Sequence, residues 1–169
     1  MNSSTSIGQD NFLENLIKEY NEGYLPHSQL FIDGNGYGAL PLALALSQTI
    51  LKGAKAESPS AVLDQPDLHC FYPTLTSSKN NASEISGLWK TFCLETPFVT
   101  IFDWVQNLDG GNKQGSIRVE HIVALQKQAA LKPSTGKSKV FILWGIDLLL
   151  APAANKLLKI LEEPPVGTY

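Results

Sequence analysis

The chain has 169 residues, 43% hydrophobic and 9% aromatic, with 13 Lys+Arg against 16 Asp+Glu for a net charge of −3. One globular domain is the default at this length. Charged residues make up 17% of the chain, below the about 25% usual in soluble proteins, and the slightly acidic balance excludes a free-standing electrostatic binder of nucleic acid. The longest apolar runs, Ala39 to Leu46 and Val140 to Leu143 with Leu148 to Ala151, fall short of the ~18 residues of a membrane span. Met1 to Asp10 is Ser/Asn-rich, with neither a basic n-region nor an apolar core, so it is no secretion signal, and a cytoplasmic address is expected. Cys70 and Cys93 are too few and too far apart for a zinc module or a disulfide framework. Both are expected to be small buried apolar residues, with no metal bound.

In chain order, Asp10 to Glu22 places Phe12, Leu13, Leu16, Ile17 and Tyr20 at helical spacing, with Asp10 as the cap and Gly23 as the stop. Ser28 to Ile32 then reads as a short strand, Asp33 to Gly38 as a glycine loop, and Ala39 to Lys52 as a helix ended by Gly53. That helix is apolar nearly all round and so predicted to lie against a sheet. Ala54 to Pro66 is Ser, Ala, Pro and acid-rich and predicts a surface connection. Leu68 to Tyr72 predicts a second strand closed by Pro73, and Thr74 to Ala82 a mobile polar stretch. Ser83 to Glu95 predicts a helix with Ile85, Leu88, Trp89 and Phe92 on one side. Thr100-x-x-Asp103 has the form of a capping box opening a further helix with Ile101, Trp104, Val105 and Leu108 inward; Asp109 to Asn112 ends it. Ile117 to Leu131 predicts another helix, and Pro133 to Ser138 a loop. Lys139 to Leu143 is apolar without alternation, as in a strand covered on both faces. Pro152 to Leu161 predicts the last helix, with Ala153, Leu157, Leu158 and Leu161 inward and Glu162 to Pro165 terminating it. Alternating strands and helices imply an α/β sandwich around a parallel sheet.

The stretch Asp33-Gly34-Asn35-Gly36-Tyr37-Gly38-Ala39-Leu40 occupies the place of a phosphate loop, whose amides cradle phosphate oxygens while a Lys reaches the terminal phosphates and a hydroxyl holds magnesium. Gly36 and Gly38 keep the loop form. Ala39 stands at the Lys position, Leu40 at the hydroxyl position and acidic Asp33 at the first Gly. An ATPase also needs an acidic pair directly after its central strand, and Val140 to Leu143 runs instead into Trp144-Gly145-Ile146. Asp147, further on, is expected to cap a helix or turn. No catalytic residue, cofactor or metal site is predicted.

Gly34-x-Gly36-x-x-Ala39 also satisfies a dinucleotide fingerprint in form, which gives a Rossmann-type oxidoreductase as the alternative. The acidic residue required at the end of the second strand is missing there, since Asp67 begins that strand and Tyr72-Pro73 close it. His27, His69 and His121 form no acid/base pair in sequence and are expected to be structural. Arg118, Lys127, Lys132, Lys137 and Lys139 predict either a solvated basic face or a partner surface.

Ile7-Gly8-Gln9, Leu25 to Phe31, the eroded glycine loop with Leu42 to Ala45, Gln65 to His69, and above all Ala153 to Pro165 follow one another in an order that resembles the bacterial clamp-loader subunits of DNA polymerase III, within the AAA+ ATPases. With both ATPase motifs degenerate, the resemblance is to the delta-prime type. It implies a P-loop NTPase-like, three-layer AAA+ sandwich with a parallel sheet over residues 1–169, and a non-hydrolysing role in loading the sliding clamp onto primer-template DNA beside the gamma/tau and delta subunits. That complex belongs to a nucleotidyltransferase holoenzyme. The four-cysteine zinc module frequent in the family is missing from Lys52 to Asp67. The family pattern continues past Glu162-Glu163-Pro164-Pro165 into a central strand, a lid and a collar domain, so the chain is expected to be truncated. Leu30 to Ile32 and Val140 to Leu143 are then expected to pair directly, or to admit a second copy as a dimer.

Overall fold

A computed structural model of the chain describes residues 9–34, 38–52, 59–76, 82–95, 98–109, 113–136 and 138–169. The first helix, α1 (Asp10–Asn21), buries Leu16, and Asp10 occupies its first turn while Gln9 stands at the cap without a side-chain bond. Asp10 is therefore not the cap expected of it. It acts from inside the turn, where a carboxylate faces the positive end of the helix. The end of α1 is a Schellman motif: Tyr24 donates to Glu19 O at 2.8 Å, Gly23 donates to Tyr20 O at 3.1 Å, and Gly23 takes φ +77°, which favours glycine.

The chain from Ser28 to Ile32 forms no strand, contrary to expectation. Leu30 is 67% and Ile32 86% exposed, while Phe31 turns back onto Phe12 of α1 with ring centroids 6.4 Å apart. A strand needs a neighbour to take its N–H and C=O groups, and the sheet edge that would have received this one is already occupied, as described below. The next helix, α2 (Ala39–Lys52), follows the predicted bounds and buries Leu40, Leu42, Leu46 and Ile50. Gly53 lies outside the described residues. In the connection that follows, α3 (Pro59–Leu63) was not foreseen; Val62 and Leu63, both buried, anchor it.

Strands β1 (Leu68–Phe71) and β2 (Val140–Leu143) pair in parallel, Leu68 opposite Val140 through Phe71 opposite Leu143. The pleat divides their side chains. Leu68, Cys70, Val140 and Ile142 join the larger apolar cluster with α1, α2, α3, α4 (Ala82–Glu95) and α5 (Ile101–Asp109). Phe71, Phe141 and Leu143 join the smaller one, built from Ile117, Ile122 and Leu125 of and before α6 (Val119–Ala130) and Ala153 and Leu157 of α7 (Ala151–Glu162). β2 is thus covered on both faces, as its composition predicts. In α7 the inward set is Ala153 and Leu157; Leu158 and Leu161 are exposed, against expectation, because α6 covers only one stripe of the helix.

The far edge of β2 is not open. Lys139 donates to Gly167 O at 2.7 Å, Tyr169 donates to Lys139 O at 3.0 Å, and Phe141 donates to Tyr169 O at 2.9 Å, giving a parallel bridge between Lys139 and Thr168. The segment after Pro164-Pro165 therefore already lies beside β2. Direct pairing of Leu30 to Ile32 with β2 is corrected accordingly, and the premise for a dimer through this edge falls at Lys139 to Phe141.

Thr74 and Leu75 are buried, not mobile, and Thr74 exchanges both backbone bonds with Ser116 at 3.1 Å. Residues 77–81 lie outside the described set. The capping box of α5 is complete: Thr100 N–H donates to Asp103 Oδ2 at 3.0 Å and Asp103 N–H to Thr100 Oγ1 at 3.2 Å. All three tryptophans meet beside β1, with Trp89 centroids 5.2 Å from Trp104 and 5.1 Å from Trp144. Trp104 is fully buried and gives its Nε1–H to Pro73 O at 2.8 Å.

Candidate functional site

The glycine loop leads into the N-terminus of α2, whose first amides would face a phosphate in a nucleotide-binding protein. Here Asp33 Oδ2 accepts the Ala39 N–H at 2.9 Å. A carboxylate from the chain itself thus engages the amide at the position where a phosphate loop carries its Lys. Gly34 is described, Gly38 takes φ +132°, and Gly36 lies outside the described residues. Leu40, at the hydroxyl position, is buried in the larger core. A Cβ on Gly38 would lie 3.9 Å from Phe98 Cε1, so an aromatic ring from the segment before α5 stands close to the end of this loop.

At the carboxyl end of β2, Trp144 donates its backbone N–H to Phe71 O at 2.8 Å and packs its indole against Trp89. Its side chain brings no carboxylate to the strand end. Gly145 follows at φ +77°, with Ile101 Cδ1 only 2.5 Å and Pro73 Cγ 3.0 Å from where a Cβ would sit. Only glycine fits both the conformation and the space. Asp147 lies within a 3-10 turn, Ile146–Leu148, that has no side-chain cap; the predicted capping role is not seen, since Gly145 and Leu150 hold the cap positions of that turn and of α7.

Two polar clusters escaped the sequence reading. Asp67, 1% exposed, accepts the Ser134 N–H at 2.6 Å, the Thr135 N–H at 2.8 Å and the Thr135 hydroxyl at 2.7 Å. Burial raises its pKa, but those bonds together outweigh burial and hold the carboxyl below its ordinary value. Lys139, 3% exposed, donates Nζ to Gln128 O at 2.6 Å, to Ala129 O at 2.8 Å and to Leu131 O. It thereby satisfies the last carbonyls of α6 at the negative end of that helix; burial pulls its pKa down, with Asp67 opposing.

The second cluster joins Thr74, Arg118 and His121. Arg118 N–H donates to His121 Nδ1 at 2.9 Å, which requires a lone pair there and fixes the Nε2–H tautomer, so Nε2–H donates to Thr74 Oγ1 at 3.1 Å. The Arg118 guanidinium reaches Thr74 Oγ1 at 3.2 Å, Thr76 Oγ1 at 3.3 Å and Glu120 Oε1 at 2.5 Å. Burial and then Arg118 hold His121 below its usual pKa. His69 stacks on Phe141 at 4.9 Å, and His27 Nε2 bonds Leu161 O at 2.9 Å. The three histidines stay apart, in structural settings. The predicted basic face is corrected: Lys139 is buried, Arg118 is half-buried and bonded, Lys137 lies outside the described residues, and Lys127 and Lys132 alone of the five are described as exposed.

The oxidoreductase alternative gains nothing from this geometry, because the Asp67 carboxylate is consumed by Ser134 and Thr135. Cys93 is buried and Cys70 half-buried, and burial pushes each thiol up to about 12. Among the described residues, no helix is long and apolar enough to cross a membrane.

Fold and site define an α/β protein with helices on both faces of a small parallel sheet and a glycine loop leading into the N-terminus of α2. The family model described as "DNA polymerase III, delta subunit" matches residues 8–169, and the chain belongs to that family. It is a clamp-loader-type subunit of the DNA replication machinery. No curated protein and no solved structure matches it.

Proposed function

We propose that the chain acts as a delta-prime-type subunit of the DNA polymerase III clamp loader, which helps place the sliding clamp on primed DNA without hydrolysing ATP itself. Residues 1–169 form its AAA+ ATPase-like part, in the cytoplasm, beside gamma/tau and delta subunits that work on ATP. The observation that carries the reading is the Asp33 carboxylate on the Ala39 amide. A triphosphate entering there meets a fixed negative charge in place of a Lys, and a bound amide in place of a free donor. Trp144, where magnesium would need a carboxylate, supports the same conclusion. The vestigial positions are Asp33, Gly34, Gly36, Gly38, Ala39, Leu40 and Trp144.

Reconstitution tests it. Clamp loading onto primed DNA by gamma/tau and delta subunits should depend on adding this protein, while the protein alone gives no magnesium-dependent ATP turnover. Turnover by the isolated chain, or loading indifferent to its omission, overturns the proposal.

A further inference from the structure

Arg118 holds the cap position of α6 without a side-chain cap bond, and His121 holds the third helical position. In a capping box that third position carries Glu or Gln, whose side-chain oxygen takes the amide of the cap residue. His121 does the same with a ring nitrogen, since Nδ1 accepts the Arg118 N–H at 2.9 Å. A Gln oxygen keeps its lone pairs at every pH, and a Glu oxygen keeps them through the neutral range. A bare imidazole nitrogen exists only on the neutral ring, and His is the side chain whose ordinary titration falls near neutrality. Nitrogen in place of oxygen thus makes this bond depend on a proton.

The other side of the ring is tied to the chain leaving β1. Nε2–H donates to Thr74 Oγ1 at 3.1 Å, Arg118 brings Nη2 to the same oxygen at 3.2 Å, and its Nη1 reaches Thr76 Oγ1 at 3.3 Å. Thr74 also exchanges both backbone bonds with Ser116, just before the cap. Among the described residues, the charged groups that bear on His121 are Arg118 and Glu120, from its own helical turn; Glu120 Oε1 is engaged by Arg118 Nε, and the segment after β1 brings the Thr74 hydroxyl. A proton from solvent on Nδ1 removes the acceptor of the Arg118 amide. It also sets an imidazolium beside a guanidinium on one oxygen, where like charges repel. We propose that His121 makes this junction an acid-opened clasp: while Nδ1 is bare it holds Thr74 to Thr76 against the start of α6, and a proton there lets them go.

The test uses the whole ¹⁵N-labelled chain, with the His121 ring titrated through its imidazole nitrogen shifts and amide protection followed by hydrogen exchange at each pH. From pH 7.5 to 5.5 the protection of the Thr74, Ser116 and Arg118 amides should fall by about three- to tenfold, the equivalent of one lost hydrogen bond, with the midpoint of the His121 ring. The sheet amides of Val140 and Trp144, bonded to Asp67 O and Phe71 O, should hold. His121→Gln, whose oxygen can take the Arg118 amide without titrating, should keep all three protected at both pH values, and His69→Gln should leave the step in place. Protection unchanged through the His121 titration overturns the proposal. So does a matching fall at Val140 and Trp144, which marks general loosening, or the same step in His121→Gln. Where His121→Gln does not fold, the comparison of clasp and sheet amides in the wild type decides alone.

Discussion

Asp67→Asn changes one oxygen to an amide nitrogen in a side chain that is 1% exposed, so its effect can be worked bond by bond. Asp67 Oδ1 holds the Ser134 amide and Oδ2 holds the Thr135 amide and hydroxyl. In the variant, the remaining carbonyl oxygen keeps Ser134. The new NH₂ faces the Thr135 N–H, donor against donor, while the Thr135 hydroxyl can turn to accept. The Thr135 donor aimed at the buried position-67 side chain is thus left unmade, at about 1–3 kcal/mol, and the surviving bond to Ser134 loses its charge assistance, at about 1 kcal/mol. The expected loss is about 2–4 kcal/mol, a large part of a total stability of about 5–15 kcal/mol. In urea, followed by tryptophan fluorescence, the midpoint should fall by about 1–2 M at unchanged slope. The pH dependence adds a second mark. Asp67 titrates lower in the folded state than its ordinary value of 3.8, so its contribution is present above that value and lost as pH falls through the folded pKa. The gap between wild type and variant should therefore narrow on acidification below about pH 4. A midpoint shift corresponding to less than about 0.5 kcal/mol, or a gap that widens in acid, would refute the reasoning.

Three further outcomes are expected. Gly145→Ala should cost about 1–3 kcal/mol, through positive φ and the Pro73 ring, whereas Gly87→Ala in α4, with nothing within 4 Å, should stabilise by about 0.5–1 kcal/mol; equal thermal melts for the two would contradict both assignments. His69 and His121 both titrate below 6.5 in the fold, so below about pH 6.5 the unfolded chain takes up protons that the native state refuses and stability falls. Urea midpoints at pH 7.5 and 5.5 check the direction, and His121→Gln should flatten part of the slope. With thiols pushed up to about 12, Cys70 and Cys93 should resist an aromatic disulfide reagent at pH 8 until urea is added; rapid labelling of the native chain would place a thiolate where burial forbids one.

Elements whose hydrophobic period is strong were legible: α2, α4, α5 and the doubly covered β2 lie where their patterns put them, down to the Thr100–Asp103 capping box. Ser28 to Ile32 misled because a short apolar run says nothing about whether a neighbouring edge is free, and that edge is filled from Gly167 to Tyr169. Lys139 misled differently. A lysine beside a strand reads as surface, and only the fold shows that two α6 carbonyls and that of its C-cap Leu131 converge on it. Asp67 and Thr135 are far apart in sequence, so their bond carries no local signal. At the candidate site, the missing Lys and hydroxyl were plain from Ala39 and Leu40, but the reach of Asp33 to the Ala39 amide was not, since a loop sequence does not say which way its carboxylate turns.

The pairing of Gly167 to Tyr169 with β2 brings the Tyr169 ring to within 5.7 Å of Tyr20 in α1, edge to face. A contact joining the twentieth residue to the last described one has almost the highest sequence separation the chain permits. During synthesis, at about 5–20 residues per second, α1 emerges early and waits for its partner. Until Tyr169 clears the ribosome, α1 packs against α2 and Phe31, and Tyr20 keeps one side open to whatever chaperone or neighbouring chain it meets. The larger apolar cluster can therefore be completed only once Tyr169 has been made, and the loop-closure cost of so distant a contact falls on that step.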